Sequence, residues 1–339
     1  MVHGFPFLWL FEQSDFLIQN INLMKDNPRR DFLKKSLAFT AGAGLFGAFP
    51  RIGGLAKPKD QLFFKISLAE WSFNKELFSK KMDNLDFQGR AKNEFGIDGV
   101  EFVNQFFKDK ALDNTYLKDL KTRCDDLGVT CVLIMIDGEG NLADPDEPTR
   151  KKGVDNHYKW VDAAKFLGCH AIRVNARGKG SDEDMQKAMI QSLGTLSEYG
   201  AKTGIEIIVE NHGGPSSNGK WITQIMKTVN SPYCGTLPDL GNFCIKPKFE
   251  NGKMSCEEEY DRYQGVKEMM PFAKGVSAKS MAFDSDGNET TIDYRKMLQI
   301  IKEAGFTGRI GIEYEGQLSS PDGIRATKSL LERIGKELS

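Results

Sequence analysis

The sequence predicts an α/β protein in which eight short strands alternate with longer helices. Three observations support this: the spacing of apolar residues, the repeated position of glycine, and the lack of a GxGxxG turn after the first strand. Eight strand–helix units in about 280 residues fit a (β/α)8 TIM barrel, which typically needs about 250. A doubly wound sheet would usually carry that Gly-rich turn. We therefore predict a single-domain TIM barrel over residues 57–339.

The first 56 residues are predicted to be an export signal. Arg29 and Arg30 form a twin-arginine pair, and the uncharged run 36–50 that follows is too short to cross a bilayer. Gly54 and Ala56 provide small residues at positions −3 and −1 of a cleavage site. The pattern resembles a bacterial twin-arginine (Tat) signal, which implies passage through the Tat translocase and a periplasmic location.

Several properties of this region stay open. An uncleaved signal would anchor the protein, whereas cleavage would leave no stable membrane span. A surface amphipathic helix with a chance arginine pair is the structural alternative. Tat signals usually begin close to the arginines, so Met24 is a candidate for the true start instead of Met1.

Composition narrows the class of protein. The 46 basic and 47 acidic side chains give a formal net charge of −1, which argues against a globally basic nucleic-acid-binding protein. The six cysteines contain no CxxC pair. Exported proteins often contain disulfides, but Tat cargo folds in the reducing cytoplasm. We therefore favour free or buried thiols for Cys124, Cys131, Cys169, Cys234, Cys244 and Cys256.

Eight apolar runs, each four to seven residues long, are the predicted strands. They are rich in Ile, Val and Phe, as buried parallel strands are. In chain order they span 62–68, 97–102, 130–136, 171–174, 205–209, 234–237, 273–278 and 309–312.

Helical segments lie between these runs. Apolar residues recur on one stripe in 158–167, 185–201 and 294–304. The acidic stretch with Glu259 and Asp261 is interpreted as a solvent-facing helix. Glycine is favoured just after a helix, because a left-handed conformation there causes no Cβ clash. Five glycines between a helical segment and a strand support the array: Gly96, Gly128, Gly168, Gly204 and Gly305.

Polar residues follow every predicted strand, where the active site of a TIM barrel lies. Taken singly, each is more simply explained as a helix cap or a solvated loop residue. Three carboxylates, Glu210, Asp239 and Glu313, are nevertheless expected to converge on one opening. Buried carboxylates repel one another unless they are protonated, paired or neutralised by a cation. A divalent metal or a lysine must therefore lie among them, and an oxygen-rich site with one imidazole favours Mn²⁺ or Mg²⁺ over Zn²⁺ or Co²⁺.

The segments around these carboxylates resemble the xylose isomerase-like TIM barrels. The matching stretches are 207–212 (IIVENH), 237–242 (LPDLGN) and 311–316 (GIEYEG). The resemblance covers about residues 62–337. The family contains sugar and sugar-phosphate isomerases and epimerases, inosose dehydratases and endonuclease IV-like proteins.

The resemblance implies a metal site. In the sugar epimerases of this family a Glu, an Asp, a His and a Glu from the last four strands bind one divalent metal. It assigns Glu210, Asp239 and Glu313 as ligands, with Mn²⁺ the expected ion. The chain departs from the family on strand 7, where His-x-Lys-Asp is common and 277–280 reads Ser-Ala-Lys-Ser. His212, on the same face of an extended segment as Glu210, is the expected substitute ligand.

An alternative reading of the same departure involves Lys279. Its ammonium would neutralise the carboxylates and replace the metal.

The resemblance also implies a reaction. Glu210 and Glu313 are the expected catalytic pair: one removes a proton next to a sugar carbonyl and the other returns it on the opposite face, through an enediolate. Phosphorylated sugars are scarce outside the cytoplasm, so the expected substrate is an unphosphorylated sugar or keto-sugar. Substrate contacts are expected from His212, Asn242, Lys279, Trp71 and Glu315.

The sequence bears on three other functions. A leaving group β to the carbonyl would make the enzyme a lyase or dehydratase on oxidised sugars or keto-glycosides. The missing strand-7 His supports a non-catalytic sugar-binding barrel. Endonuclease IV-like cleavage needs several His ligands and is disfavoured, because the chain has four His in all. The sequence leaves the sugar, the metal and a homo-oligomeric state open.

Overall fold

The computed structural model describes residues 61–250 and 253–339. The predicted export signal and the candidate start at Met24 lie outside the described residues. Within the described part, no helix combines the length and apolar character that crossing a membrane requires.

Eight parallel strands form the barrel, and two further strands form a hairpin. The hydrogen-bonded order of the eight is β6-β5-β4-β3-β2-β1-β10-β9. Backbone bridges from Thr236 to Ala273 and from Asp239 to Ser277 join its two edges. The prediction of an eight-stranded barrel is confirmed. The strands are β1 Lys65–Ala69, β2 Gly99–Val103, β3 Thr130–Met135, β4 Ala171–Asn175, β5 Glu206–Glu210, β6 Cys234–Leu237, β7 Cys244–Glu250, β8 Lys253–Glu259, β9 Val276–Ser280 and β10 Arg309–Tyr314.

Helices lie between successive barrel strands. Short 3-10 segments at 70–73, 84–86, 104–110, 214–217 and 270–272 shape the connecting loops. The helices are α1 Asn74–Phe78, α2 Phe87–Phe95, α3 Asn114–Leu127, α4 Glu147–Leu167, α5 Asp182–Thr203, α6 Gly219–Val229, α7 Arg262–Met269, α8 Tyr294–Glu303 and α9 Ser320–Leu338.

The ends of these helices follow from local sequence. Asp146 and Ser181 cap α4 and α5, because their side chains accept hydrogen bonds from backbone N–H groups of the first turn. All five predicted glycines have a positive φ, between 62° and 82°, at or just after a helix end. The predicted glycine pattern is therefore confirmed.

Two apolar layers hold the barrel together. The larger layer packs the outward side chains of the strands against the helices, with Trp160 and Phe102 fully buried. A smaller cluster fills the inside and includes Val103, Leu133 and Ile208. Above this inner cluster the side chains become polar, so the hydrophobic core ends where the strand-end residues begin.

The hairpin corrects two predictions. β7 and β8 pair antiparallel, and a disulfide joins Cys244 to Cys256. The expectation of free thiols is wrong for this pair and holds for the other four cysteines, which are buried. The acidic stretch before Asp261 is an exposed strand, not a helix. Sequence spacing does not show which cysteines meet, so the pairing becomes visible only in the folded chain.

We predict that the disulfide fastens the hairpin and not the barrel. In the double variant Cys244→Ser/Cys256→Ser, trypsin should cut after Lys248 about tenfold faster, because the hairpin opens locally. The thermal midpoint should fall by less than about 3 °C.

Cys234→Ala, which removes a buried free thiol, is the control and should leave the cleavage rate unchanged. Loss of cooperative unfolding in the double variant would contradict this prediction.

Candidate functional site

A cavity of about 490 Å³ opens at the carboxyl ends of the barrel strands. Its size lies within the range of small-molecule sites, about 300–1,000 Å³. Six of the eight predicted site residues line it directly, and the other two, Glu210 and Asp239, do not. The lining residues are Trp71, Gln105, Asp137, Gly138, Arg173, Arg177, His212, Asn242, Lys279, Glu313 and Glu315.

Three buried carboxylates meet beneath this cavity. Glu210 ends β5, Asp239 follows β6, and Glu313 lies near the end of β10. One oxygen from each lies within 4.8 Å of the others. The structure therefore brings together the three carboxylates that the sequence predicts will converge.

Glu210 is the carboxylate with the fewest partners. Its Oε1 accepts a hydrogen bond from Asn242 Nδ2 at 3.1 Å. Its Oε2 lies 2.9 Å from Arg173 Nε, close enough for charge attraction, yet no N–H group points at it. Burial raises the pKa of Glu210 to about 7, although Arg173 opposes the shift. Glu210 thus holds a buried oxygen without a hydrogen-bond donor.

Arg173 is one of the cavity-lining residues that the sequence did not predict, together with Gln105, Asp137, Gly138 and Arg177. It points into the barrel from the middle of β4 and contacts Glu210 and, at 2.9 Å, Asp137 Oδ1. Burial opposes its effect on Asp137, but the guanidinium dominates and lowers the pKa of that carboxyl to about 2. A charged residue inside the apolar run of β4 was the signal that could have revealed it.

Comparison with known proteins identifies the family. Residues 90–334 match the family described as xylose isomerase-like TIM barrel. The chain belongs to this family. A search of curated protein sequences gave no match.

Solved structures show that the same fold occurs in several enzymes. The structure of the IolI protein with a bound zinc atom superposes with a TM-score of 0.62 at 16% identity, covering 81% of this chain and 99% of that one. L-ribulose 3-epimerase gives 0.61 at 14% identity, covering 81% and 95%. The 3-keto-D-glucoside 4-epimerase from E. coli gives 0.55 at 14%, covering 80% and 99%.

In this xylose isomerase-like barrel a serine lies between two carboxylates. Ser277 Oγ lies 2.6 Å from Asp239 Oδ2 and 2.9 Å from Glu313 Oε2. A hydroxyl has one proton to donate, so the second contact is satisfied only by a proton on a carboxyl group. Burial raises the pKa of Asp239 to about 7, which favours Asp239 as the carrier of that proton.

Lys279 lies among the carboxylates, as the metal-free alternative requires. Its Nζ is 2.7 Å from Glu313 Oε1 and 3.4 Å from Glu315 Oε1, and the side chain is buried. Burial alone would raise the pKa of Glu313, but the ammonium group and its hydrogen bond outweigh burial and lower it. Lys279 therefore favours the ionised form of Glu313, whereas the pKa of Glu210 stays raised.

His212 lies on the cavity wall, outside the carboxylate group that forms the potential ligand set among the described residues. Its Nδ1 is 2.9 Å from a guanidinium nitrogen of Arg177. Arginine only donates, so Nδ1 accepts and the ring proton is on Nε2. Burial, with Arg173 and Lys279, lowers the pKa of His212, which keeps the imidazole neutral.

The remaining predicted substrate residues surround the mouth. Trp71 Nε1 donates a hydrogen bond to Glu315 Oε1, so these two side chains form one wall. Asn242 reaches Glu210 from the opposite side. The structure therefore places Trp71, Glu315 and Asn242 around one opening.

A divalent metal fits the donor set. Three carboxylate oxygens are hard ligands of the kind that Mg²⁺, Mn²⁺ and Ca²⁺ prefer. Glu210 Oε2, which pairs with the Arg173 charge but accepts no hydrogen bond among the described residues, gives the group an acceptor that a metal could use. A metal would have to share the cluster with the Lys279 ammonium.

A fourth buried carboxylate lies deeper in the barrel. Glu101 on β2 accepts a hydrogen bond from Ser67 Oγ at 2.6 Å, and burial raises its pKa to about 7. A Cβ at position 311 would collide with this carboxyl group. Gly311 on β10 is therefore required to make room for Glu101.

We predict that Arg173 is essential for stability. Arg173→Met leaves the buried Glu210 and the partly buried Asp137 without their cation, which should lower the free energy of unfolding by about 3–5 kcal/mol. Urea unfolding at pH 7 measures this change.

Arg177→Met is the matched control. Arg177 is exposed and forms no ion pair with a carboxylate among the described residues, so the change should stay within about 0.5 kcal/mol. Equal stability of Arg173→Met and the wild-type protein would show that the pairing is wrong.

Proposed function

We propose that the protein is a sugar isomerase or epimerase that transfers a proton next to a carbonyl group. The observation that carries this proposal is the pair Glu210 and Glu313, which come from separate strands and approach each other within 4.8 Å beneath one cavity. Two carboxylates so placed can act on the same carbon. The epimerases that share this fold support the reaction class.

The different pKa values of Glu210 and Glu313 suit them to different roles in the proton transfer. Glu210, whose pKa is raised to about 7, is suited to exchange a proton near neutral pH. Glu313, whose ionised form Lys279 favours, would accept or return a proton on the opposite face of the substrate. Asn242 and Lys279 would bind substrate oxygens, and Trp71 would cover the ring.

A divalent metal held by Glu210, Asp239 and Glu313 belongs to this proposal. When bound, it would polarise the carbonyl and offset the negative charge that develops on the oxygen. Manganese remains the expectation from the sequence, while the similar IolI structure contains zinc.

The substrate we propose is an unphosphorylated sugar or keto-sugar. Two of the three cations that line the cavity, Arg173 and Lys279, are engaged by carboxylates. This leaves Arg177 as the lining cation without such a partner in the described part of the chain. The site is therefore poorly equipped to bind a phosphate dianion, which typically takes several charged donors.

We also propose that the protein acts in the periplasm after export by the Tat translocase. The twin-arginine pattern supports this location. The disulfide between Cys244 and Cys256 supports it further, because disulfides persist in oxidising compartments.

The proton transfer is testable by solvent deuterium exchange. With a panel of unphosphorylated ketoses and keto-glycosides, the wild-type protein should incorporate deuterium next to the carbonyl, and Glu210→Gln or Glu313→Gln should abolish incorporation. Glu206→Gln is the control, because Glu206 lies at the other end of β5 and pairs with Lys274.

Full exchange in both variants would falsify the mechanism. Exchange accompanied by loss of a β-substituent would identify a lyase instead. No exchange with any sugar would favour a binding protein.

Metal binding gives a separate prediction. Asp239→Asn should weaken binding of Mn²⁺ or Zn²⁺ by at least about 100-fold, because a ligand is lost. Lys279→Met should strengthen it by about tenfold, because a competing cation is removed from the cluster. Isothermal titration calorimetry measures both affinities.

Lys274→Met, which removes an ammonium group outside the cavity, should change neither affinity. If neither the wild-type protein nor Lys279→Met binds a metal, Lys279 and Arg173 are the neutralising cations.

A further inference from the structure

A second hollow of about 210 Å³ adjoins the cavity described above. Trp71 and Glu315 belong to the walls of both spaces, and the hydrogen bond between them forms the partition. The second hollow lies beside the loops that follow β1 and β10. A ligand that fills the cavity can therefore extend past this partition into an adjoining space.

Trp71 lines one side of the second hollow, and its ring belongs to an aromatic cluster that continues beyond the lining of the hollow. Trp71 stacks on Phe106 with ring centroids 6.1 Å apart, and Phe78 packs edge-on against both rings. Phe78 is nevertheless 56% exposed. Exposed aromatic surface next to a cavity is typical of ligand contact, and an aromatic face packs well against the C–H face of a sugar ring.

The other side of the hollow offers unused polar groups. Lys75 Nζ donates to the Gly316 carbonyl at 3.0 Å and forms no ion pair within the described residues, so further N–H groups stay available. Asn74 donates to the Trp71 carbonyl, which leaves its side-chain oxygen free to accept. These donors and acceptors suit hydroxyl groups.

The rim of the barrel also has an apolar half and a polar half. The five most exposed large apolar side chains include four on loops that follow β2, β1, β10 and β9, which are neighbours in the sheet: Leu112, Phe78, Leu318 and Met281. The other half of the mouth carries Asp137, Arg177 and His212. An elongated ligand with a reacting ring on the polar side would place its remainder on the apolar side.

We propose that the second hollow binds a second sugar ring, so that the substrate is a glycoside or disaccharide rather than a free monosaccharide. The reacting ring occupies the cavity, and the second ring lies on Trp71 and Phe78 with its hydroxyls toward Lys75 and Asn74. This inference rests on the proposed function, because that function places the carbonyl-bearing ring in the cavity.

Calorimetric titration of the full-length protein tests the second site. The probes are D-fructose and three ketose disaccharides, lactulose, maltulose and isomaltulose, which differ in linkage. At least one disaccharide should bind about tenfold more tightly than fructose, as expected for one added aromatic contact. Phe78→Ala and Lys75→Met should each reduce that ratio to about one.

Phe166→Ala is the matched control, because Phe166 is an exposed phenylalanine on α4, away from the barrel mouth. It should leave the ratio of affinities unchanged. Circular dichroism confirms that each variant is folded.

The outcomes separate this inference from the proposed function. Equal binding of fructose and all three disaccharides overturns the second site, as does a preference that survives in both variants. If the preference depends on Phe78 and Lys75 but no sugar exchanges deuterium, the second site stands and the proton transfer fails. If fructose exchanges deuterium but no disaccharide binds more tightly than fructose, the proton transfer stands and the second site fails.

Discussion

The structure depends on neutralising carboxylates that the fold buries at the strand ends. Glu210, Asp239 and Glu313 have less than a tenth of their surface exposed, and ionised groups in that position are costly without a partner. Arg173 and Lys279 supply positive charge from β4 and β9. Arg173 and Lys279 thus neutralise part of the negative charge of the cluster. A bound metal would neutralise only the charge that remains.

This balance makes the two proposed catalytic carboxylates unequal. Lys279 bonds directly to Glu313, whereas Arg173 approaches Glu210 without aiming an N–H group at its free oxygen. Ser277 links Asp239 to Glu313 where the family commonly has a histidine. A hydroxyl is a weaker metal ligand than an imidazole, so carboxylates and the Lys279 ammonium dominate this part of the barrel.

The chemistry of the mouth follows from which loops surround it. The loops after β1 and β10 contribute the Trp71 ring together with the polar side chains of Asn74, Lys75 and Glu315, while those after β3, β4 and β5 contribute Asp137, Arg177 and His212. The hairpin of β7 and β8 emerges from the loop after β6 and is held by its disulfide. The barrel strands hold the proposed reacting groups, and the loops determine how long a ligand the site can accommodate.

The sequence by itself determined the eight strands, the glycines at five helix ends and the convergence of Glu210, Asp239 and Glu313. These follow from local periodicity and from the rule that parallel strands end at one face. It did not determine the partners of Arg173, the pairing of Cys244 with Cys256, or the partition made by Trp71 and Glu315. Each of these joins residues from separate strands or loops, and register and distance between such elements are set only when the barrel closes.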